Sequence, residues 1–202
     1  MIELLVDGPE DGARVVLAHG AGAAMDSPFL ATIASHLAAS GVRVYRFEFP
    51  YMAARRSGKR RGPDRQPVLL DTFRAVVAQI GAPERLVIGG KSLGGRMASL
   101  IADELGVRGL VCLGYPFHPP GKGENLRTEH LATLRTPALI VQGERDPFGT
   151  RAEVGSYRLS EAIRVEFMKD GDHSFKPRVS SGTTESDNLR RAAELTAEFI
   201  AG

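Results

Sequence analysis

Four short stretches of this sequence carry residues able to do chemistry. They are His19-Gly20-Ala21-Gly22, Gly90-Lys91-Ser92-Leu93-Gly94, Gly143-Glu144-Arg145-Asp146 and Asp170-Gly171-Asp172-His173-Ser174-Phe175. The second stretch has two readings. Gly-Lys-Ser ends a phosphate-binding loop, whereas Gly-x-Ser-x-Gly presents a nucleophilic serine. A phosphate loop needs its first glycine where this chain has Arg85, and the intervening Leu86-Val87-Ile88-Gly89 reads as a strand rather than a cradle. No aspartate ends a second buried strand to hold magnesium, because Leu110–Leu113 runs into Gly114-Tyr115. The nucleophile reading explains more. A serine on a sharp strand-to-helix turn leaves no room for side chains two residues to either side, and Gly90 and Gly94 remove them. The helix that follows begins at Ser92, where backbone N–H groups favour developing negative charge.

With Ser92 as nucleophile, the partners expected are a base and an acid that orients it. His173 is the candidate base and Asp146 the candidate acid. The N–H of Leu93 is one oxyanion donor, and Ala21, in the glycine-rich loop, supplies the second. Asp146 has a competing role as the cap of a helix starting near Thr150, and His173 has one as a plain loop histidine. Glu144 beside Arg145 suits a salt bridge. Asp172 adjoins His173 in sequence and is badly placed to reach the far side of its ring. His19 is expected to organise its loop, and His36 and His130 to be surface or packing residues. Phe117, Phe148 and Phe175 are candidates for an apolar pocket wall. His118, after a strand exit, is a further pocket candidate. Lys91 stands next to the nucleophile, either to orient an acidic group or to face solvent.

These residues need elements to position them. Ile2–Val6, Arg14–Ala18, Val42–Phe47, Leu86–Ile88, Arg108–Leu113, Ala138–Gln142 and Ile163–Met168 read as strands, and DGPEDG between the first two suits a hairpin. Helix-period segments alternate with them. One begins at Pro28, one carries Leu69, Phe73, Val76, Val77 and Ile80, one runs Ser92–Leu105, and the last opens on Thr184-x-x-Asp187, which resembles a capping box. This order predicts an α/β fold: a three-layer, mostly parallel sheet of about six or seven strands with helices on both faces. Each of the four stretches then lies at a strand's carboxyl end, where such sheets bind ligands. Their chain order (glycine-rich loop, serine, aspartate, histidine) is the α/β-hydrolase order. About two dozen residues separate Leu113 from Ala138, room for a loop and a short helix but not a separate cap domain.

Composition sets the outer bounds. A chain of 202 residues with 43% hydrophobic residues fits one domain over 1–202 with a real core. The net charge of +2 does not mark a polyanion binder. The one cysteine, Cys112, excludes an internal disulfide and a cysteine-based metal site and fits a reducing, cytoplasmic setting. No cofactor or metal is expected. The N-terminus has no signal-peptide pattern, and no apolar run is long enough for a membrane span, so no membrane partner is expected. Arg55-Arg56-Ser57-Gly58-Lys59-Arg60-Arg61 is either a solvated loop or a basic rim beside the site. Without interleaved aromatics it does not read as a nucleic-acid surface.

Taken together, HGAG, GGKSLGGR, GERDPFG and DGDHSFKPR resemble a small α/β-hydrolase branch, similar to dienelactone-hydrolase-like proteins. They are closer to compact predicted hydrolases related to regulatory subunit 3 of the eukaryotic NSL chromatin complex. The likeness runs from His19 to about Arg178. It implies Ser92 as nucleophile, Asp146 as acid and His173 as base. Dienelactone hydrolases use cysteine at the nucleophile position, where this chain has Ser92. The function expected is a serine hydrolase for a small-molecule acyl substrate, an ester or thioester, acting through an acyl-enzyme. The alternative is a binding or scaffold module on the same fold, motivated by the chromatin-related likeness and the basic run.

Overall fold

The computed structural model describes residues 1–58 and 61–202; Lys59 and Arg60 of the basic run lie outside the described residues. Seven strands form one sheet: β1 (Leu4–Asp7), β2 (Ala13–Ala18), β3 (Val42–Phe47), β4 (Leu86–Lys91), β5 (Gly109–Leu113), β6 (Ala138–Gly143) and β7 (Ile163–Met168). Their order is β1-β3-β2-β4-β5-β6-β7, with β1 antiparallel to β3 and every other neighbour parallel. The helices are α1 (Pro28–Ala39), α2 (Pro50–Arg56), α3 (Gln66–Ile80), α4 (Leu93–Leu105), α5 (Arg151–Val154) and α6 (Glu185–Ala201). The expected fold class is the observed one.

The strand alternation sorts the core onto two faces. Val16, Ala18, Leu86, Ile88, Leu110, Cys112 and Ile140 face a layer built from Phe49, Leu69, Phe73, Met97 and Ile101. Their neighbours Val15, Leu17, Val87, Val111, Leu113, Leu139 and Val141 face Leu30, Ile33, Leu37, Leu189, Ala193 and Ile200 of α1 and α6. The period-2 pattern of each strand thus serves two helical layers, as a sheet covered on both sides requires. Helix α4 lies close on the sheet because Gly95 has no side chain: a methyl there would stand 2.8 Å from the Gly90 oxygen. Cys112 is fully buried beneath it, and burial pushes its thiol well above the usual range, so it is a packing residue.

Two expectations need correction. β1 and β2 are not a hairpin, because β3 lies between them. The DGPEDG segment instead crosses the start of β3 at very short range. Methyls on Gly8 and Gly12 would stand 2.0 Å from the Val42 oxygen and 2.4 Å from the Gly41 oxygen, and Arg43 Nη1 donates to the Gly8 carbonyl at 2.6 Å. Those glycines serve a crossing, and Gly12 also closes a turn by donating to the Pro9 carbonyl at 3.3 Å. Second, the chain after β3 forms α2, so Arg55 and Arg56 of the run expected as a loop are helical. Pro50 sits in its first turn, and the carboxylate of Asp64 reaches back to accept from the Tyr51 N–H at 2.8 Å. Helix α6 has the anticipated capping box, with Thr184 and Asp187 each bonded to the other's backbone. Between β5 and β6 the chain holds only a short 3₁₀ turn, His130–Thr133, and no cap is inserted there. Among the described residues, no helix is long and apolar enough to cross a membrane.

Candidate active site

Ser92 occupies the junction of β4 and α4 with φ 49° and ψ −109°. A non-glycine residue in this region is strained by about 1–3 kcal/mol, and the surroundings must enforce it. They do so from three sides. The Ser92 N–H donates to the Leu113 carbonyl at 3.0 Å, fastening the turn to β5. Gly90, at φ 153°, presses on the backbone of Ala18. Gly94, in the first turn of α4, presses on the same residue. The serine hydroxyl is thereby held clear of the helix.

His173 Nε2 lies 2.9 Å from Ser92 Oγ, and His173 Nδ1 lies 2.7 Å from Asp146 Oδ2. A proton on Nδ1, donated to the carboxylate, leaves Nε2 free to accept from the serine. Asp146 is fully buried in the turn after β6. Its remaining acceptor capacity is used by the Phe148 N–H at 2.8 Å and by Gln142 Nε2 at 2.9 Å. Gln142, also fully buried, has two amide protons shared among Asp146 and the Tyr115 and Gly149 carbonyls, which lie 3.2 and 3.1 Å from Nε2. Asp146 does not cap α5. Thr150 does, in a capping box with Glu153.

The histidine loop is braced by the aspartate loop. The Arg145 N–H donates to the Gly171 carbonyl at 2.8 Å, and Arg145 Nε to the Asp170 carbonyl at 2.9 Å. The Asp170 N–H donates to Glu144 Oε2 at 2.8 Å. Arg145 therefore pairs with Asp170 and Glu144 with Arg151, not with each other as adjacency suggested. The Arg178 guanidinium and N–H hold the Asp170 carboxyl down near 2. Asp172 accepts from the N–H groups of Ser174 and Lys176 at 2.7 and 3.0 Å, which makes it a turn residue. From α6, Asn188 donates to the Lys169 and Phe175 carbonyls at 3.0 and 2.8 Å.

The glycine-rich loop after β2 has its own frame, and much of it comes from the segment Arg46-Phe47-Glu48-Phe49-Pro50-Tyr51. His19 is fully buried; Nδ1 donates to the Gly20 carbonyl at 2.7 Å and Nε2 accepts the Phe49 N–H at 3.1 Å. Burial lowers its pKa, so it is a neutral strut. Tyr51 Oη donates to the Ala21 carbonyl at 3.0 Å. Glu48 accepts from the Met25 N–H at 3.3 Å, and Arg46 donates to the Met25 carbonyl at 2.8 Å. Arg56 grips Glu48 at 2.7 and 2.9 Å and Asp26 at 2.9 Å. Arg55 lies over the Tyr51 ring at 5.4 Å and donates to the Arg61 carbonyl at 2.8 Å. The start of the basic run thus props the loop from below. Among the described residues, the N–H groups of Ala21 and Leu93 have no hydrogen-bond partner.

A cavity of about 270 Å³ opens above Ser92, lined by Gly20, Ala21, Gly22, Ala23, Lys91, Ser92, Phe148 and His173. The Phe148 ring lies 4.3 Å from the imidazole. The other pocket candidates lie elsewhere. Phe117 is fully buried against Tyr115 and Tyr157, because the tight turn at Gly114 sends the chain back into the core. Phe175 is fully buried against Phe29. His118 is buried with Nδ1 on the Pro119 carbonyl at 2.9 Å and Nε2 3.5 Å from Glu153. Lys91 contributes its stem to the cavity, but its ammonium turns away to the His173 carbonyl.

A second serine–histidine contact exists, Ser99 Oγ to His130 Nε2 at 2.8 Å. Ser99 lies in the middle of α4, is 2% exposed, and donates to the Arg96 carbonyl at 2.8 Å. Burial and the nearby Arg96 hold His130 down at about 4. The Tyr115 hydroxyl donates to the Arg127 carbonyl beside it at 2.9 Å. The contact pins the β5–β6 connection to α4. It has neither a carboxylate behind the imidazole nor a strained serine.

The chain matches the family described as alpha/beta hydrolase domain over residues 11–201. It belongs to that family. Solved structures with the same fold include the esterase Est1E from Butyrivibrio proteoclasticus bound to ferulic acid, at 16% identity and a TM-score of 0.73, covering 100% of this chain and 96% of that one. A Xanthomonas campestris α/β serine hydrolase described as lacking a lid aligns at 21% identity and a TM-score of 0.70, over 96% of this chain and 87% of that one. A dienelactone hydrolase from Anabaena variabilis aligns at 19% identity and a TM-score of 0.70, over 98% and 91% of the two chains. Like the Xanthomonas protein, this α/β-hydrolase has no lid over the serine among the described residues.

Proposed function

We propose that this α/β-hydrolase is a serine hydrolase for small esters or thioesters, with Ser92 as nucleophile, His173 as base and Asp146 as the orienting acid. The observation that carries the reading is the unbroken series of contacts at 2.9 and 2.7 Å from Ser92 Oγ through the imidazole to Asp146. Ser92 Oγ attacks the carbonyl carbon while its proton passes to His173 Nε2. The tetrahedral oxyanion takes hydrogen bonds from the N–H groups of Leu93 and Ala21. Collapse breaks the bond to the alcohol or thiol, which leaves with the proton from Nε2. Water then repeats the sequence on the acyl-serine, with His173 taking its proton and Ser92 recovering one. Asp146 stays ionised and fixes the tautomer throughout.

The cavity argues for a short acyl group. Its volume of about 270 Å³ falls at the lower edge of the roughly 300–1,000 Å³ typical of ligand pockets. Its wall is mainly glycine, alanine and one phenylalanine ring, and Lys91, its one cationic residue, is turned onto backbone. An uncharged acyl chain of a few carbons suits it. The scaffold alternative rests on the chromatin-related likeness and the basic run; of that run, Arg55 donates to the Arg61 carbonyl and Arg56 pairs with Glu48 and Asp26.

The test is labelling by a fluorophosphonate probe. Ser92 should be labelled, Ser92→Ala should not, and Ser99→Ala should label like the wild type. A protein that stays unlabelled across neutral pH overturns the reading.

A further inference from the structure

Lys91 ends β4 beside the serine; it is partly buried, and its ammonium has no ion-pair partner among the described residues. Nζ donates to the backbone carbonyl of His173. It lies 5.1 Å from the centre of the Phe29 ring and 5.7 Å from that of Phe175, so two aromatic faces and one carbonyl replace its water. Gly114 makes room for it: a methyl there would stand 2.6 Å from Nζ and 3.1 Å from the His173 oxygen. The carboxylates whose fields reach it are those of Asp146 and Asp172. These give back only part of what burial costs, and the ammonium titrates at about 8 rather than in the usual lysine range.

The other braces of the histidine loop hold its flanks. Arg145 grips Asp170 and Gly171, Arg178 grips Asp170, and Asn188 grips Lys169 and Phe175. Among the described residues, Lys91 alone bonds to the backbone of His173 itself. We propose that Lys91 is a positioning residue: it clamps the His173 carbonyl from the strand that delivers Ser92, and so locks the base and the nucleophile to one rigid element. The inference rests on the triad reading above. It turns the lysine of the GKS sequence into a part of the catalytic frame rather than a receptor for substrate charge.

A one-ångström misplacement of a reacting group costs on the order of a hundredfold in rate, and the imidazole has no other backbone tie at that residue. Lys91→Met fills the same apolar slot without the donor, and Lys91→Arg keeps a charge of the wrong shape. The experiment measures acylation by a fluorophosphonate and turnover of a short acyl ester against pH. It adds thermal unfolding and hydrogen exchange of the segment 170–176. Lys91→Met is expected to lose roughly ten- to a hundredfold in acylation rate and kcat, with KM little changed. Its melting temperature at neutral pH should match or exceed that of the wild type, and exchange in 170–176 should speed up. The wild-type rate should fall on the alkaline side around pH 8, with that limb missing in Lys91→Met. Lys91→Arg should not restore the rate. Wild-type acylation in Lys91→Met, or unchanged exchange at 170–176, overturns the proposal. If the wild-type serine is never acylated, the triad reading fails separately. Exchange still decides then, faster exchange upholding the clamp and unchanged exchange removing it.

Discussion

Gly90 and Gly94 converge on one atom. A methyl on Gly90 would stand 2.2 Å from the carbonyl oxygen of Ala18, and one on Gly94 would stand 2.4 Å from the same oxygen. The two glycines around Ser92 are therefore required by the end of β2, the strand that launches the glycine-rich loop His19–Gly22. Ser92 and that loop, the proposed nucleophile and oxyanion donor, are brought together by this shared contact.

Gly94→Ala tests the contact at a helical position, where alanine alone would gain about 0.5–1 kcal/mol over glycine. Forcing a methyl into that space is expected to cost about 1–3 kcal/mol. It should also cut ester turnover more than stability explains, since Ala18 must move and leads into Gly20 and Ala21. Urea unfolding and kcat on one ester check both. A variant more stable than the wild type by the full helical gain of about 0.5–1 kcal/mol contradicts the close approach.

Strain at Ser92 makes a second prediction. Glycine normally weakens a folded chain by about 0.5–1 kcal/mol relative to alanine. At φ 49° and ψ −109° the order should reverse, with Ser92→Gly more stable than Ser92→Ala by about 1 kcal/mol. Neither variant should react with a fluorophosphonate. Equal or inverted melting temperatures would mean that the turn is not strained.

The oxyanion loop should respond to residues that never meet substrate. Tyr51→Phe removes only the hydroxyl, which lies 3.0 Å from the Ala21 carbonyl and 3.4 Å from the Gly20 carbonyl, whose peptide plane carries the Ala21 N–H; such a bond is worth about 0.5–1.5 kcal/mol of stability. If the hydroxyl holds these two peptide planes, and with them the direction of the Ala21 N–H, kcat should fall by roughly the same energy, three- to tenfold, with KM nearly constant. A change confined to KM would place Tyr51 in substrate binding instead.

What the sequence disclosed follows from how each feature is encoded. Apolar runs such as Ala138–Gln142 and the Thr184–Asp187 capping box are local, and they marked β6 and the start of α6 to within a residue, whereas β1 is shifted to Leu4–Asp7 and β4 runs on from the expected Leu86–Ile88 through Lys91. The four chemistry-bearing stretches were legible because each combines glycine or acid with the exit of such a run. The pairing of β1 with β3 was not legible: the crossing at Gly8 and Gly12 depends on Val42, far along the chain, and looks locally like a turn. Phe117 and Phe175 were misplaced for a related reason. Both follow strand exits, but positive-φ residues, Gly114 before the first and Phe175 itself, turn those rings into the core. Arg56 read as one of a basic run, and only folding shows it spent on Glu48 and Asp26. A signal for α2 was present in Pro50, a favoured first-turn residue.

The partly buried ammonium of Lys91 predicts an unusual pH dependence of stability. Its pKa is about 8 in the folded protein and ordinary, 10.5, in the unfolded chain. Between those values the unfolded chain holds more protons, so the wild type gains stability as pH rises through this window. The gain is complete above about 10.5 and absent below about 8, where the charged lysine is a standing cost. Lys91→Met has no such group. Its advantage over the wild type should therefore be greatest at neutral pH and shrink by up to about 3 kcal/mol as pH approaches 10.5. Tyrosines and other lysines titrate in both proteins and cancel in the difference. Urea unfolding of the two proteins at pH 7 and pH 10.5 measures it. A stability difference that does not change with pH would mean that Lys91 keeps its full hydration, and with it would go the reason for calling the residue a costly clamp.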